Sequence, residues 1–404
     1  MRPNTLYIIT FLAILTLSLG VPTSTSKSAG TTPTQGQLAS TPTSPPSPVP
    51  NDTAVPTQLP YYVVATVWES QPAAPILTYH KFKTNRPSTY STVSRLDFAE
   101  ELENLYQSGY VSVSLEQWLA GDTRVPAGKR PVIFSMDDAF FRNQITLAPD
   151  GNPTKDTGLG VAWEFFQKHP EFGFHWSLFT NLGDKPYGEG SHAEQQIQLA
   201  NVIVWCIEHD AMVYNHTFGH VNLKNTNGLG VTAELRWNDE QLRKLLALVH
   251  REDLIPRLRN MVALPGGRAP RWSDSQTALY GYIDPDGRKI QAVFNIDYIT
   301  RPDFLKPPYA PKFNSSNLPR MVANLKAIDY LVENKEKNPT AQSCEIGPLA
   351  ESQSDDPDYL GKQILYMTQN GQCSQGVYVT DQFVFSANME QVELIQRIEG
   401  SSQP

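Results

Sequence analysis

From residue 75 onward, short apolar runs alternate with segments whose apolar residues recur every three or four positions. The runs Pro75-Ile76-Leu77-Thr78-Tyr79-His80 and Pro131-Val132-Ile133-Phe134-Ser135 predict buried strands, and the second runs straight into Met136-Asp137-Asp138. Phe174 to Phe179, Ala211 to Asn215, Met261 to Leu264, Ala292 to Asn295 and Gly376 to Thr380 predict further strands, and Val111 to Ser114 alternates. Helices are predicted where Phe98, Leu102, Leu105 and Tyr106 recur before Gly109, and over Ala162 to Gln167. Ser191, with Glu194 three residues on, predicts a capping box for a helix running through Cys206. Asn238 with Gln241 predicts a weaker helix start for the stripe Leu242, Leu245, Leu246 and Val249. Met321 to Val332 and Asp358 to Thr368 are predicted helical as well.

Regular strand–helix alternation predicts a mainly parallel sheet with helices outside. About seven such units predict an α/β fold, a closed or nearly closed (β/α) barrel. Polar groups at the C-terminal ends of such strands are then the candidates for chemistry.

The N-terminal pattern is different. Arg2 precedes an apolar run from Leu6 to Leu19, closed by Ser18-Leu19-Gly20, which predicts a signal peptide over residues 1–20. Residues 21–60 contain 24 Pro, Ser or Thr among 40, with Lys27 and Asp52 the only charges. Such a stretch buries too little apolar area to offset its ordering entropy and predicts a disordered linker. Residues 61–404 remain as one large domain. In its late region, 341–404, Cys344 and Cys373 can close a disulfide, whereas Cys206 sits in an apolar run as a buried thiol. The net charge of −8 excludes a nucleic-acid binder and gives no attraction to an anionic membrane. The expected location is secreted, extracellular or at the cell surface, with no membrane span after signal cleavage. The pattern sets no oligomeric state.

His80, Asp137, Asp138, His216 and Asp381 all follow predicted strands, and His220 follows His216 by four residues. An Asp-Asp pair and an H-x-x-x-H supply one oxygen and two nitrogen ligands, the set that holds a divalent transition metal with open positions. A spare carboxylate beside that ion serves as general base. Adjacent strand residues point to opposite faces, so one aspartate is expected on the metal and the other as base. The remaining histidines, His169, His175, His192, His209 and His250, are expected to be structural.

These motifs resemble the polysaccharide deacetylase family, metal-dependent carbohydrate esterases with a NodB-homology barrel. Over residues 70–385, the family's T-F-D-D-G motif is matched by Ser135-Met136-Asp137-Asp138-Ala139, and its H-[ST]-x-x-H by His216-Thr217-Phe218-Gly219-His220 after Asn215. Leu77-Thr78-Tyr79-His80 is similar to the family's opening strand. The resemblance implies Asp138, His216 and His220 as ligands of Zn²⁺, Co²⁺ or Ni²⁺, and Asp137 as the base. It implies removal of acetyl groups from an N- or O-acetylated polysaccharide. Ala139 stands where the family has Gly. The arginine that orients the base is matched by Arg268-Ala269-Pro270, or its motif by Pro265-Gly266-Gly267. No His follows His250, so the general acid falls to Asp381 or to His80. A catalytically impaired, glycan-binding descendant of the fold is the second functional expectation. Trp163, Trp176, Trp237, Trp272, Tyr187 and Tyr309 are the candidate sugar-stacking rings.

Overall fold

The computed structural model describes residues 62–183, 186–296 and 303–398. The signal peptide and the linker lie outside the described residues. Strand β1 (Tyr62–Glu69) leads into β2 (Ile76–Tyr79), the short pair β3 (Lys81–Lys83) and β4 (Thr92–Ser94), and helix α1 (Arg95–Gln107). There follow β5 (Tyr110–Ser112), α2 (Leu115–Ala120) and the long β6 (Arg130–Ala139). Alternation continues through α3 (Gly158–Lys168), β7 (Trp176–Thr180), α4 (His192–Glu208), β8 (Ala211–Asn215) and α5 (Gly228–Leu248). Then come β9 (Met261–Ala263), α6 (Ser273–Tyr280), β10 (Ala292–Phe294), β11 (Met321–Val322) and α7 (Leu325–Glu333). The chain closes with β12 (Ser343–Ala350), α8 (Pro357–Gln369), β13 (Gly376–Val379), β14 (Phe383–Ala387) and β15 (Val392–Arg397).

Seven strands form one parallel sheet in the order β10-β9-β8-β7-β6-β2-β11, with β5 beside the start of β6. Every residue of β2, β7 and β8 is buried, as expected for strands covered on both faces. The sheet curls into a distorted (β/α) barrel, and one short stretch joins its two edges. Leu318 pairs with Phe294 of β10 in a parallel bridge, and three residues on Met321 pairs with Leu77 of β2. Backbone bonds from Asn295 N to Leu318 O (3.0 Å) and from Ala323 N to Thr78 O (2.9 Å) secure the two sides.

Two helix boundaries differ from the sequence pattern. Met321 and Val322 are the edge strand, and the helix starts only after Asn324, whose side chain accepts from Ala327 N. Apolar residues on both sides of Asn324 concealed that break. Asn238 is buried inside α5, because Asn227 caps the helix eleven residues earlier by accepting from Gly230 N. The capping box at Ser191 and Glu194 is present.

The late region leaves the barrel. β12, β13, β14 and β15 join β1 in a five-stranded antiparallel sheet, so Gly376–Val379 is not a barrel strand. That sheet packs on α8 around Val67, Ile346, Leu360, Ile364 and Phe385. A disulfide joins Cys344 to Cys373, and Cys206 is a buried free thiol. The sheet meets the barrel through Ser70 and Thr123, whose hydroxyls lie 2.6 and 2.8 Å from the Tyr309 hydroxyl. Among the described residues, no helix is long and apolar enough to cross a membrane.

Helix α1 carries Glu101 into the core, where the Tyr79 hydroxyl donates to it at 2.9 Å. Burial raises this carboxyl to about 8; the Tyr79 hydroxyl opposes the shift, and Asp97, Glu100 and Asp329 add to it. The folded chain therefore holds a proton that the unfolded chain releases, and stability falls as pH rises from 4.5 through about 8. Glu101→Gln keeps an acceptor for Tyr79 and removes the titration. Its urea midpoint is expected to rise relative to wild type between about pH 5 and about pH 9. Parallel profiles of the two proteins would refute the buried neutral acid.

Candidate metal centre

The site lies at the C-terminal ends of β2, β6 and β8. In β6, Met136 pairs with Leu178 of β7 and Ala139 pairs with Thr180. Asp137 and Asp138 thus stand opposite the single residue Phe179, which makes a bulge. Asp138 takes a left-handed conformation there, with φ 56°. Strict alternation would send the two carboxylates to opposite faces. The bulge instead brings both towards one imidazole: His216 Nε2 lies 3.9 Å from Asp137 Oδ2 and 4.0 Å from Asp138 Oδ1.

His216 is buried, and its Nδ1 lies 2.9 Å from the Ala263 carbonyl. A carbonyl only accepts, so Nδ1 carries the proton and the Nε2 lone pair faces the carboxylates. Burial lowers its pKa, against the opposing pull of Asp137 and Asp138. The loop that returns His220 to the site needs left-handed residues, Thr217 at φ 62° and His220 at φ 54°. Asn215 Oδ1 accepts from Thr217 N at 2.8 Å, and Glu234 Oε2 accepts from Gly219 N at 2.7 Å. His220 Nε2 comes to rest 3.3 Å from Asp138 Oδ1.

One ligand atom from each of Asp138, His216 and His220 lies within 4.8 Å of the others. Donors about 2.0–2.2 Å from a tetrahedral ion stand about 3.3–3.6 Å apart, so small side-chain adjustments bring this set onto one ion. Two neutral imidazoles and a carboxylate are the donor chemistry of such a site. The residues fit a divalent transition metal.

Asp137 is held differently. Arg320 Nη1 and Nη2 donate to its two oxygens at 2.5 and 2.9 Å, the paired geometry of a guanidinium on a carboxylate. Arg320 itself is buried, donates from Nε to Asn295 O at 3.0 Å, and lies 4.9 Å over the Phe179 ring. Burial pushes the Asp137 carboxyl up, but the Arg320 guanidinium, with His216 and His80 behind it, outweighs burial and holds it well below the usual carboxylate range. His80 Nε2 lies 4.0 Å from Asp137 Oδ2, and its buried Nδ1 has no hydrogen-bond partner. Gln144 donates to the carbonyls of both His80 and Asp137 and fixes the two strand ends together.

Five of the seven candidate residues therefore meet: His80, Asp137, Asp138, His216 and His220. Two do not. Arg268 is exposed in the loop after β9 and the arginine on Asp137 is Arg320. Sequence reading missed Arg320 because it precedes a two-residue strand that resembled the start of a helix. Asp381 lies between β13 and β14, three-quarters exposed and ion-paired with Arg124. It left the site when its strand joined the antiparallel sheet. Of the candidate sugar-stacking rings, Trp176 and Tyr187 are buried, Trp163 packs on Trp205, and Trp237 and Trp272 are exposed.

No family model matches the chain, and no curated protein matches it. Solved structures do. A Streptococcus pyogenes deacetylase in complex with acetate is 16% identical, with a TM-score of 0.43 over 66% of this chain and 98% of that one. A polysaccharide deacetylase from Bacillus cereus is 14% identical, with a TM-score of 0.43 over 65% and 69%. IcaB from Ammonifex degensii is 18% identical, with a TM-score of 0.42 over 65% and 97%.

Removing the arginine strands a buried charge. Arg320→Met is expected to destabilise the protein by about 3–5 kcal/mol in urea unfolding. The double change Arg320→Met with Asp137→Asn is expected to cost clearly less than the sum of the two single changes. Additive losses would show that the pair is not coupled.

Proposed function

We propose that this chain is an exported, metal-dependent hydrolase that removes acetyl groups from an N- or O-acetylated polysaccharide. The observation that carries this reading is the adjacency of two unlike units: the ligand set Asp138, His216 and His220, and an Arg320-clamped Asp137 within 3.9 Å of His216. Asp138, His216 and His220 would hold the ion, Zn²⁺ being the first choice for this donor set. When bound, the ion supplies a Lewis acid that polarises an acyl carbonyl and acidifies water.

The chain's own residues divide the proton work. Arg320 occupies one lone pair on each Asp137 oxygen, and those that remain accept a proton from the attacking water. Water oxygen bonds to the acetyl carbon, the carbon–nitrogen or carbon–oxygen bond to the sugar breaks, and acetate leaves. The sugar's amine or hydroxyl must then gain a proton. His80 is the acid in this scheme, because its Nε2 lies 4.0 Å from Asp137 Oδ2 at the end of β2 and its side chain is one-fifth exposed. The signal peptide and linker expected over residues 1–60 support a reaction outside the cell.

His216→Ala and His220→Ala are each expected to lose the metal on dialysis, read as metal content per chain. Asp137→Asn is expected to keep the metal and to lower acetate release by about 10²–10⁴-fold. Normal turnover by that variant would remove Asp137 from the base role. His80→Ala is expected to impair hydrolysis of N-acetylated sugars far more than of 4-nitrophenyl acetate, whose leaving group needs no proton. Equal impairment on both would remove His80 from the acid role.

A further inference from the structure

Tied to the end of β2, the strand that leads to His80, lies a groove of about 900 Å³. One wall is the loop of residues 84–91 and the other is the start of α7. We propose that this groove holds the polysaccharide on the leaving-group side of the reaction, with the Tyr90 ring as platform for a sugar. The proposal rests on the deacetylase reading above.

The groove is built onto the site's own strands. Lys81, the residue after His80, donates from its backbone N to Ser91 O at 3.1 Å, so Tyr90 is tied next to the end of β2. On the other side Ala323 N donates to Thr78 O at 2.9 Å, and Asn324 and Leu325 follow at once. The 84–91 wall is anchored. Asp97 is buried on α1, accepts from Ser88 N at 3.2 Å and pairs with Arg86, which also reaches Glu100 at 2.6 Å.

Reaction geometry then selects the occupant. The group that protonates the departing nitrogen or oxygen must lie on the sugar's side of the scissile bond. With His80 as acid, the sugar lies over the end of β2, and a chain extending from it enters this groove. The lining suits a sugar chain. Pro87, Leu325 and the half-exposed Tyr90 (50%) offer apolar surface to the carbon–hydrogen faces of the rings. Asn324 and Lys326 stand on the rim as partners for hydroxyls.

The test compares wild type, Tyr90→Ala and Tyr90→Phe, each loaded with Zn²⁺. Substrates are an N-acetylated glucosamine tetramer, an O-acetylated xylose tetramer and 4-nitrophenyl acetate. Tyr90→Ala is expected to raise KM for the tetramer that is turned over by about tenfold, with kcat and 4-nitrophenyl acetate hydrolysis unchanged. Tyr90→Phe keeps the ring and is expected to behave as wild type. An unchanged KM in Tyr90→Ala, equal losses on tetramer and small ester, or a Phe variant as weak as the Ala variant each overturns the proposal. Failure of wild type to release acetate from either tetramer defeats the functional reading instead. Calorimetric binding of the tetramers then decides the groove alone: binding weakened by Tyr90→Ala supports it, and no binding by wild type overturns it.

Discussion

The buried pair of Arg320 and Asp137 is the constraint on which this site depends. A guanidinium at 1% exposure is costly to bury unless its donors are met, and here the Asp137 carboxylate and the Asn295 carbonyl meet them. Arg320 sits on the stretch that joins β10 to β2, while Asp137 sits at the end of β6. The pair therefore links the seam that closes the barrel to the strand that carries both carboxylates. The guanidinium that holds Asp137 ionised thus comes from the stretch that closes the barrel. The imidazoles of His80 and His216, each about 4 Å from Asp137 Oδ2, are arranged around an anion whose position the seam fixes.

Two neighbouring aspartates acquire unlike environments from one local device. The β6 bulge turns Asp138 into the left-handed region, half-buried and facing the exposed His220, while Asp137 stays enclosed beneath Arg320. A left-handed non-glycine residue costs of order 1–3 kcal/mol, and such strain is tolerated where surrounding bonds over-determine the backbone. The Gln144 bond to Asp137 O is one such restraint. Asn215 does the same for Thr217 on the opposite loop, so both halves of the ligand set rest on side chains that clamp backbone.

Local signals were legible in the sequence and distant pairings were not. Buried parallel strands need apolar residues on both faces, so Ile76–Tyr79 and Ala211–Asn215 stand out as runs whatever their partners. His216 and His220 share one loop, and Asp137 and Asp138 share one bulge, so each pair announces itself by spacing. Arg320 meets Asp137 across 183 residues and sits in no local pattern. Its strand has only two residues, which register with β2 rather than periodicity defines. The run Gly376–Val379 failed in the opposite way. A buried strand in an antiparallel sheet covered on both faces carries the same apolar signature as a barrel strand, and only its pairing with β1 reveals the difference.

That last difference bears on where proton donation would arise in the proposed reaction. With β13 drawn into the antiparallel sheet, the late strand that ends beside β2 is β11, which is followed by Ala323 and Asn324, neither of them titratable. Among the described residues, the imidazoles that reach Asp137 are His216, a proposed ligand, and His80, on the strand that receives the seam. In the proposed reaction, the acid and the chain-binding groove therefore stand at the end of β2, the clamped base and Asp138 at the end of β6, and His216 and His220 after β8. The substrate's acyl group would point towards the ligands and its sugar towards β2. In that proposal, the seam that buries Arg320 would also set the direction in which a glycan crosses the barrel.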